Sequence, residues 1–379
     1  MASSHVTSSD TQPRRAQSAD EFAPWDPEAW IHVREVGKGA AGTVAIYERR
    51  DLAESKKRVL GVRAPPKPQF VVKRIAKTVP GAADLVNTEW SMMKAVVDVC
   101  PRFFPCLFGG YKDEAAYYLV SNYLAGAMDL YDYVGATKSL KDMGREERSE
   151  AIPTQIKPII VNLVAAVDAL HRKGIAHRDL KLENVLVNPT SYEVWLIDLA
   201  LSCGEALPPP CTYRRLGTLG QLPPEVLTRD PARAYNAVDW MLADQWSLGI
   251  TILLLIMHAP LWRLAQEEYK GDALRKQALV YNLMLKEFEV AAVDSRLDWR
   301  QFVDRQVLRA LYVWAPELVQ LLDVLLSVEP TKRTIPPYLW AYLKSDIRKV
   351  REGEAYVSGN SGNSGSSSRP SGPSPSPVQ

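Results

Sequence analysis

The stretch that most constrains this chain is His177-Arg178-Asp179-Leu180-Lys181-Leu182-Glu183-Asn184, followed by Asp198 at the end of an apolar run in Leu196-Ile197-Asp198-Leu199-Ala200. It sets a candidate base (Asp179), a cation (Lys181) and two oxygen ligands suited to Mg²⁺ (Asn184, Asp198) within one short span. Phosphoryl transfer needs such a set. The moving phosphoryl carries spread negative charge and asks for little covalent chemistry, so positioning and electrostatics carry most of the catalysis.

The upstream half adds matching parts. Gly37-Lys38-Gly39-Ala40-Ala41-Gly42-Thr43-Val44 fits G-x-G-x-x-G-x-V. The same glycines open dinucleotide-binding folds, but there a strand leads in and a helix leads out. Here Trp30–Val36 and Thr43–Arg49 are both rich in β-formers, and no helical period follows the last glycine, so the glycines mark a hairpin. Without a Cβ its backbone can lie close over phosphates. Phe70-Val71-Val72-Lys73 reads as a buried strand ending in lysine. Glu89 is the only glutamate between Lys73 and Asp113, and it lies in Ala83–Cys100, where Leu85, Trp90, Met93 and Val97 recur at helical spacing.

In order and spacing these runs resemble the eukaryotic-type protein kinases of the Ser/Thr class, over residues 30–345. The resemblance implies an α+β, bilobal kinase fold with a small, mainly β N-lobe carrying one key helix and a larger, mainly α C-lobe. Strand patterns up to Asn122 and helical ones afterwards agree with it. It implies ATP and Mg²⁺ as cofactors. Lys73 would grip the phosphates and pair with Glu89, Asp179 would act as base, Lys181 would neutralise the moving phosphoryl, and Asn184 and Asp198 would hold the metal. Gly37, Lys38, Gly39, Gly42, Val44, Val71, Lys73, Ser121, Asn122, Leu124 and Leu186 would line the nucleotide site. Gly217–Glu225 resembles the loop that closes the activation segment. Asp244 would accept hydrogen bonds from the catalytic-loop backbone, and Arg333 would pair with Glu225.

Lys181 and Thr218 are the Ser/Thr-class choices. The hinge, Leu119–Tyr133, is one residue longer than usual and resembles that of the Pim group of calmodulin-kinase-like enzymes. In that group acids at the positions of Asp129, Asp132 and Glu183 face the peptide, which implies protein substrates with basic residues upstream of the target Ser/Thr. Ser121 falls at the gatekeeper position behind adenine. The usual phosphoacceptor position holds Arg214, with Thr212 and Tyr213 out of register, which implies activity without phosphorylation of the activation segment. The departures are Asp198-Leu199-Ala200 for Asp-Phe-Gly, Val71 for a small residue above adenine, Gln221 for an aromatic, and no Pim-type hinge proline. A divergent member, such as one carried by a large DNA virus, fits them. The alternative is a weakly active or inactive pseudokinase acting as a scaffold. Such a scaffold would normally have lost one of the charged groups, and all are present.

Composition sets the remaining bounds. Hydrophobic content of 46% and charged content of 24% are ordinary for a globular enzyme, and a net charge of +2 gives no general attraction to nucleic acid or membranes. The apolar core Ile250–Met257 is too short to span a bilayer, and the N-terminus lacks a signal-peptide core. The four cysteines fit no zinc spacing, and a disulfide framework is unexpected at this size, so reduced thiols in an intracellular monomer are expected. Residues 1–23 and 351–379 read as disordered tails around a kinase domain at 24–350 (N-lobe 24–122, C-lobe 123–350). Residues 50–68 read as an enlarged loop. Helices are expected at Gln155–Lys173, Ala243–Met257, Ala273–Phe288, Glu317–Val328 and Pro336–Val350.

Overall fold

The computed structural model describes residues 18–39, 42–50, 68–205, 211, 217–228, 235–258 and 299–343. The expected helix Ala273–Phe288, the C-terminal tail, residues 51–67 of the enlarged loop, and Ala40, Ala41, Thr212, Tyr213 and Arg214 lie outside the described residues.

Among the described residues the first lobe holds a six-stranded sheet with a helix packed against it. In chain order its strands are β1 (Ala23–Pro24), β2 (Trp30–Gly39), β3 (Gly42–Arg49), β4 (Gln69–Ala76), β5 (Leu107–Lys112) and β6 (Ala116–Asn122), with helix α1 (Ala82–Ala95) after β4. Across the sheet the order is β1-β5-β6-β4-β3-β2. The period of two along β4 divides its side chains between the faces. Phe70 and Val72 join Trp30, Tyr111, Tyr118 and Val120 in an aromatic layer, where Trp25 stacks on Tyr118 at 4.3 Å. Ile75 faces α1 instead, packed with Val86, Trp90 and Leu119. In the β4–β6 register Lys73 lies opposite Leu119 and Val71 opposite Ser121, so these four share the face toward α1 and the second lobe.

The second lobe is mainly helical. It contains β7 (Met128–Asp129), α2 (Leu130–Ala136), α3 (Arg145–Ala151), α4 (Lys157–His171), β8 (Ile175–Ala176), β9 (Val185–Val187), β10 (Val194–Leu196), β11 (Cys203–Gly204), α5 (Pro224–Thr228), α6 (Ala237–Met257), α7 (Arg305–Trp314) and α8 (Pro316–Leu325). Helix α6 opens on a capping box in which Asn236 Oδ1 accepts from the Asp239 N–H and Asp239 Oδ2 accepts from the Asn236 N–H, both at 3.0 Å. It is apolar all round because neighbours surround it. At 21 residues it is longer than its Ile250–Met257 core suggests and reaches the length and apolarity of a membrane span, but 83% of its most apolar window is buried inside the lobe.

Two expectations are corrected. Residues 18–23 are not part of a disordered tail: a short 3-10 turn at Ala19–Glu21 and strand β1 dock on the sheet edge, with Ala19 and Phe22 buried. A bulky apolar side chain with a cavity to fill orders the segment around it. The cysteines are not free thiols either. Cys100–Cys106 and Cys203–Cys211 form disulfides with Cα atoms 5.2 and 5.1 Å apart. Neither pairing follows from the local sequence pattern.

Candidate active site

The catalytic run leaves β8 as a loop. Strand β8 pairs antiparallel with β11, which draws the segment carrying Asp198 alongside it. Asp244, on the buried flank of α6, accepts from the backbone N–H of His177 (2.6 Å) and Arg178 (2.8 Å) and lies 3.0 Å from His171 Nε2. Those bonds hold Arg178 in the left-handed region at φ 69°, and Asp198 shares that unusual conformation at φ 63°. Non-glycine residues stay there only where their surroundings over-determine them.

Asp179 is the centre of a closed network. Its Oδ1 accepts from the Thr218 N–H (3.0 Å) and hydroxyl (2.9 Å). Its Oδ2 accepts from Lys181 Nζ (2.8 Å) and Asn184 Nδ2 (3.0 Å). Lys181 also reaches Thr218 Oγ1 at 3.1 Å. Asn184 Nδ2 donates as well to the Asp179 carbonyl at 2.8 Å. With its nitrogen committed twice, Asn184 keeps its amide oxygen for a cation.

Across the cleft, Lys73 Nζ lies 2.7 Å from Glu89 Oε2 and 2.8 Å from Asp198 Oδ1. Burial by itself would lower the Lys73 ammonium, but the two carboxylates outweigh it and hold the group above the usual lysine range. Burial pushes Asp198 upward, and the charge and hydrogen bond of Lys73 more than reverse this, so Asp198 is held below the ordinary carboxylate range. One cation thus ties α1 to the metal-ligand candidate of the second lobe.

Other residues of the expected nucleotide site lie on neighbouring strands. Val44 lies opposite Lys73 in the β3–β4 register. Leu186 lies opposite Asp129 across β9 and β7. Gly37 and Lys38 pair with Val44 and Thr43, and Gly39 with Gly42, confirming the hairpin. An added Cβ at Gly42 would collide with the Arg74 carbonyl oxygen, so this glycine is required by the close approach of β4. Asn122 bonds to the strand edge beside it. Its N–H donates to the Cys106 carbonyl (3.1 Å) and its side-chain oxygen accepts from the Cys106 N–H (2.5 Å), so the side chain is turned to the residue that leads into β5. The extra hinge residue is absorbed in a turn where the Ala127 N–H donates to the Leu124 carbonyl and Gly126 has φ 77°. Leu199 is buried in the main core with Met92 and Phe104, filling an aromatic residue's place between the lobes.

Three contributors were not legible in the sequence. His177 sits fully buried with Nε2 donating to the Ile197 carbonyl (3.1 Å) and Nδ1 accepting from the Asp179 N–H (3.3 Å), which links the loop to the residue before Asp198. The Arg178 guanidinium lies 4.2 Å over the Trp240 ring. The Cys203–Cys211 disulfide ties Cys211 to strand β11, which pairs with β8. The histidine was visible in its run; its partner carbonyl, like Trp240, comes from a distant element.

A two-lobed fold with a lysine–glutamate pair facing a catalytic loop defines a protein kinase of the eukaryotic Ser/Thr type. The protein kinase domain model matches residues 30–340, and the chain belongs to that family. The serine/threonine-protein kinase sck2 of Schizosaccharomyces pombe is 29% identical over 229 residues, covering 60% of this chain and 31% of its own length. PLK4 of Nematostella vectensis is 26% identical over 225 residues, covering 59% and 20%. The serine/threonine-protein kinase US3 of Human herpesvirus 1 is 34% identical over 132 residues, covering 34% and 24%. The chain therefore spans under a third of the length of these curated relatives.

Proposed function

We propose that the protein transfers the γ-phosphoryl group of Mg-ATP to Ser/Thr hydroxyls of protein substrates. The observation that carries this reading is the four-bond network on Asp179 facing the Glu89–Lys73–Asp198 chain. Asp179 orients the substrate hydroxyl and accepts its proton. Lys181 stands beside it as the cation for charge developing on the phosphoryl. Lys73 holds the nucleotide phosphates, under the Gly37–Gly42 hairpin and between Val44, Val71 and Leu186. Among the described residues no cluster of three acidic, His or Cys ligands forms a cage. One amide and one carboxylate fit Mg²⁺, which keeps its waters and takes phosphate oxygens as ligands. Asn184 and Asp198 would hold the ion, which would supply neutralising charge to the phosphates. A scaffold lacking activity is disfavoured because every charged group is both present and in contact. The test is phosphate transfer from ATP to a Ser/Thr peptide library with and without a chelator. No Mg²⁺-dependent transfer to any peptide, or transfer only to sugars or lipids, rejects the reading.

Substrate choice follows from three acids. Asp129 caps α2 by accepting from the Asp132 N–H at 2.7 Å. Burial raises its pKa above the ordinary carboxylate range, with the nearby Asp132 and Glu183 charges adding to the rise. Such mutual repulsion is relieved by a cation, which favours Arg or Lys upstream of the target through charge-assisted pairs. Asp129→Asn is expected to lower kcat/KM for an Arg-containing peptide about tenfold and leave an Arg-free peptide unchanged. Because protonation removes the charge, the Arg preference should fade as pH falls through a value above the usual aspartate range. Indifference of the wild type to upstream Arg in a peptide array rejects this assignment.

The adenine site is expected to be open at its rear. Ser121 is half-buried opposite Val71 and Leu107. A serine there leaves apolar space that a bulky aromatic substituent on an adenine mimic would fill, at about 25 cal/mol per Å². Ser121→Phe should weaken such an inhibitor at least tenfold with KM for ATP unchanged. Equal inhibition of both proteins would show that Ser121 does not border the nucleotide.

A further inference from the structure

The N-terminal segment Ser18–Pro24 reaches across the sheet edge and rests on the helix that supplies Glu89. Phe22 is 3% exposed, and its ring meets Trp90 edge-on at 4.9 Å between centroids. Ala19 is 1% exposed, and its N–H donates to Asn87 Oδ1 at 2.6 Å. Asn87 and Trp90 flank Glu89 on α1. The segment is itself anchored: Ala23 and Pro24 pair in parallel with Tyr111 and Lys112, the Trp25 N–H donates to the Lys112 carbonyl at 2.7 Å, and Lys112 Nζ donates to the Asp20 carbonyl at 2.5 Å. Gly110 makes room for it, since an added Cβ there would fall 2.6 Å from the Phe22 ring.

The same apolar cluster reaches both elements that carry the active-site ion pair. Phe22 and Ala19 pack with Val86 and Trp90 of α1 and with Leu119 of β6. Leu119 is the cross-strand neighbour of Lys73. The cluster thus spans the Glu89-bearing helix and the strand beside the lysine. A helix tied to its sheet mainly by side-chain packing can shift as a body, and a contact present in only one of its positions biases that equilibrium.

Resting on the phosphotransferase reading above, we infer that residues 18–24 are an intramolecular clamp that holds α1 in the position where Glu89 engages Lys73, with Phe22 and Asn87 as its positioning residues. The clamp touches neither nucleotide nor peptide. It acts through the orientation of Lys73, so its loss falls on ATP use and leaves the peptide-docking acids alone.

The experiment compares full-length wild type, Phe22→Ala, Phe22→Leu and Asn87→Ala. Readouts are kcat, KM for ATP, KM for peptide, thermal melting, and amide exchange over residues 82–95. Phe22→Ala should lower kcat/KM for ATP roughly 5- to 150-fold, the usual span of a coupling between separate sites. KM for peptide should stay unchanged and exchange in α1 should rise. Phe22→Leu should recover most of the activity, and Asn87→Ala, which removes one hydrogen bond, should shift the same way by less. Should Phe22→Ala fail to fold, Asn87→Ala carries the test. Active wild type with unchanged kinetics and unchanged α1 exchange in the folded variants overturns the clamp, whatever happens to their melting temperatures. Inactive wild type whose variants still raise α1 exchange rejects the kinase reading and leaves the clamp standing.

Discussion

Asp179→Asn and Asp198→Asn are each expected to lower kcat by about 10²- to 10⁴-fold while the fold survives. The two losses differ in origin. Asp179 receives four hydrogen bonds, from the Thr218 N–H and hydroxyl, Lys181 and Asn184. An asparagine must turn its NH₂ toward one set of those donors, so both the base and its alignment are lost. At Asp198 the amide keeps the volume and one oxygen but loses the charge that Lys73 holds ionised. Its effect should deepen at low Mg²⁺ concentration, whereas that of Asp179→Asn should not. Lys73→Met is a poorer probe. It strands Glu89, whose side chain is 7% exposed, without its cation, and breaking such a pair typically costs about 3–5 kcal/mol of stability. Activity should therefore be read beside a melting curve, and wild-type turnover in either aspartate variant would refute the site assignment.

Much of the site was legible because its chemistry sits in short runs. Asp179, Lys181 and Asn184 are spaced so that one loop brings them together, and the strand ending in Lys73 follows a period of two. Glu89 was legible by elimination along a helical pattern, and the tie from Asp244 to the loop and the pairing of Arg333 with Glu225 came from the family resemblance. What was not legible depends on contacts between distant elements. Phe22 stands in a polar, tail-like stretch, and only the groove beside Trp90 and Gly110 gives it a place. The cysteine pairs bring Cα atoms to 5.2 and 5.1 Å, an approach that no periodicity signals. Asn122 falls in the hinge run, but which way a side chain turns at a strand end is decided by its edge partner, here Cys106.

The second large effect expected is on stability. Arg333 is fully buried and grips Glu225 with two nitrogens, Nη1 to Oε1 at 2.6 Å and Nη2 to Oε2 at 2.9 Å. Its Nε donates to the Ser327 carbonyl at 2.8 Å, and its guanidinium lies 5.1 Å over the Trp246 ring. A two-pronged pair with its other donors occupied is the geometry in which a buried ion pair repays its desolvation. Arg333→Met should cost about 3–5 kcal/mol, because it leaves the Glu225 carboxylate without its counter-charge. In a domain of this size that lowers the melting temperature by on the order of 10 °C. Lysine should not rescue it, since a single ammonium cannot satisfy both carboxylate oxygens and the carbonyl. Combining Arg333→Met with Glu225→Gln should cost less than the sum of the single changes, because the second substitution removes the stranded charge. The loss should also reach the chemistry. Glu225 lies in the first turn of α5, which follows directly on the segment from Gly217 to Pro223 that sets Thr218 on Asp179. Loosening that end frees Thr218, so kcat/KM for peptide should fall several-fold at temperatures well below melting. A urea titration and peptide kinetics on the same samples test both halves. A midpoint matching wild type would show that the pair contributes no net stability, and full peptide activity in a destabilised variant would show that Thr218 is held without it.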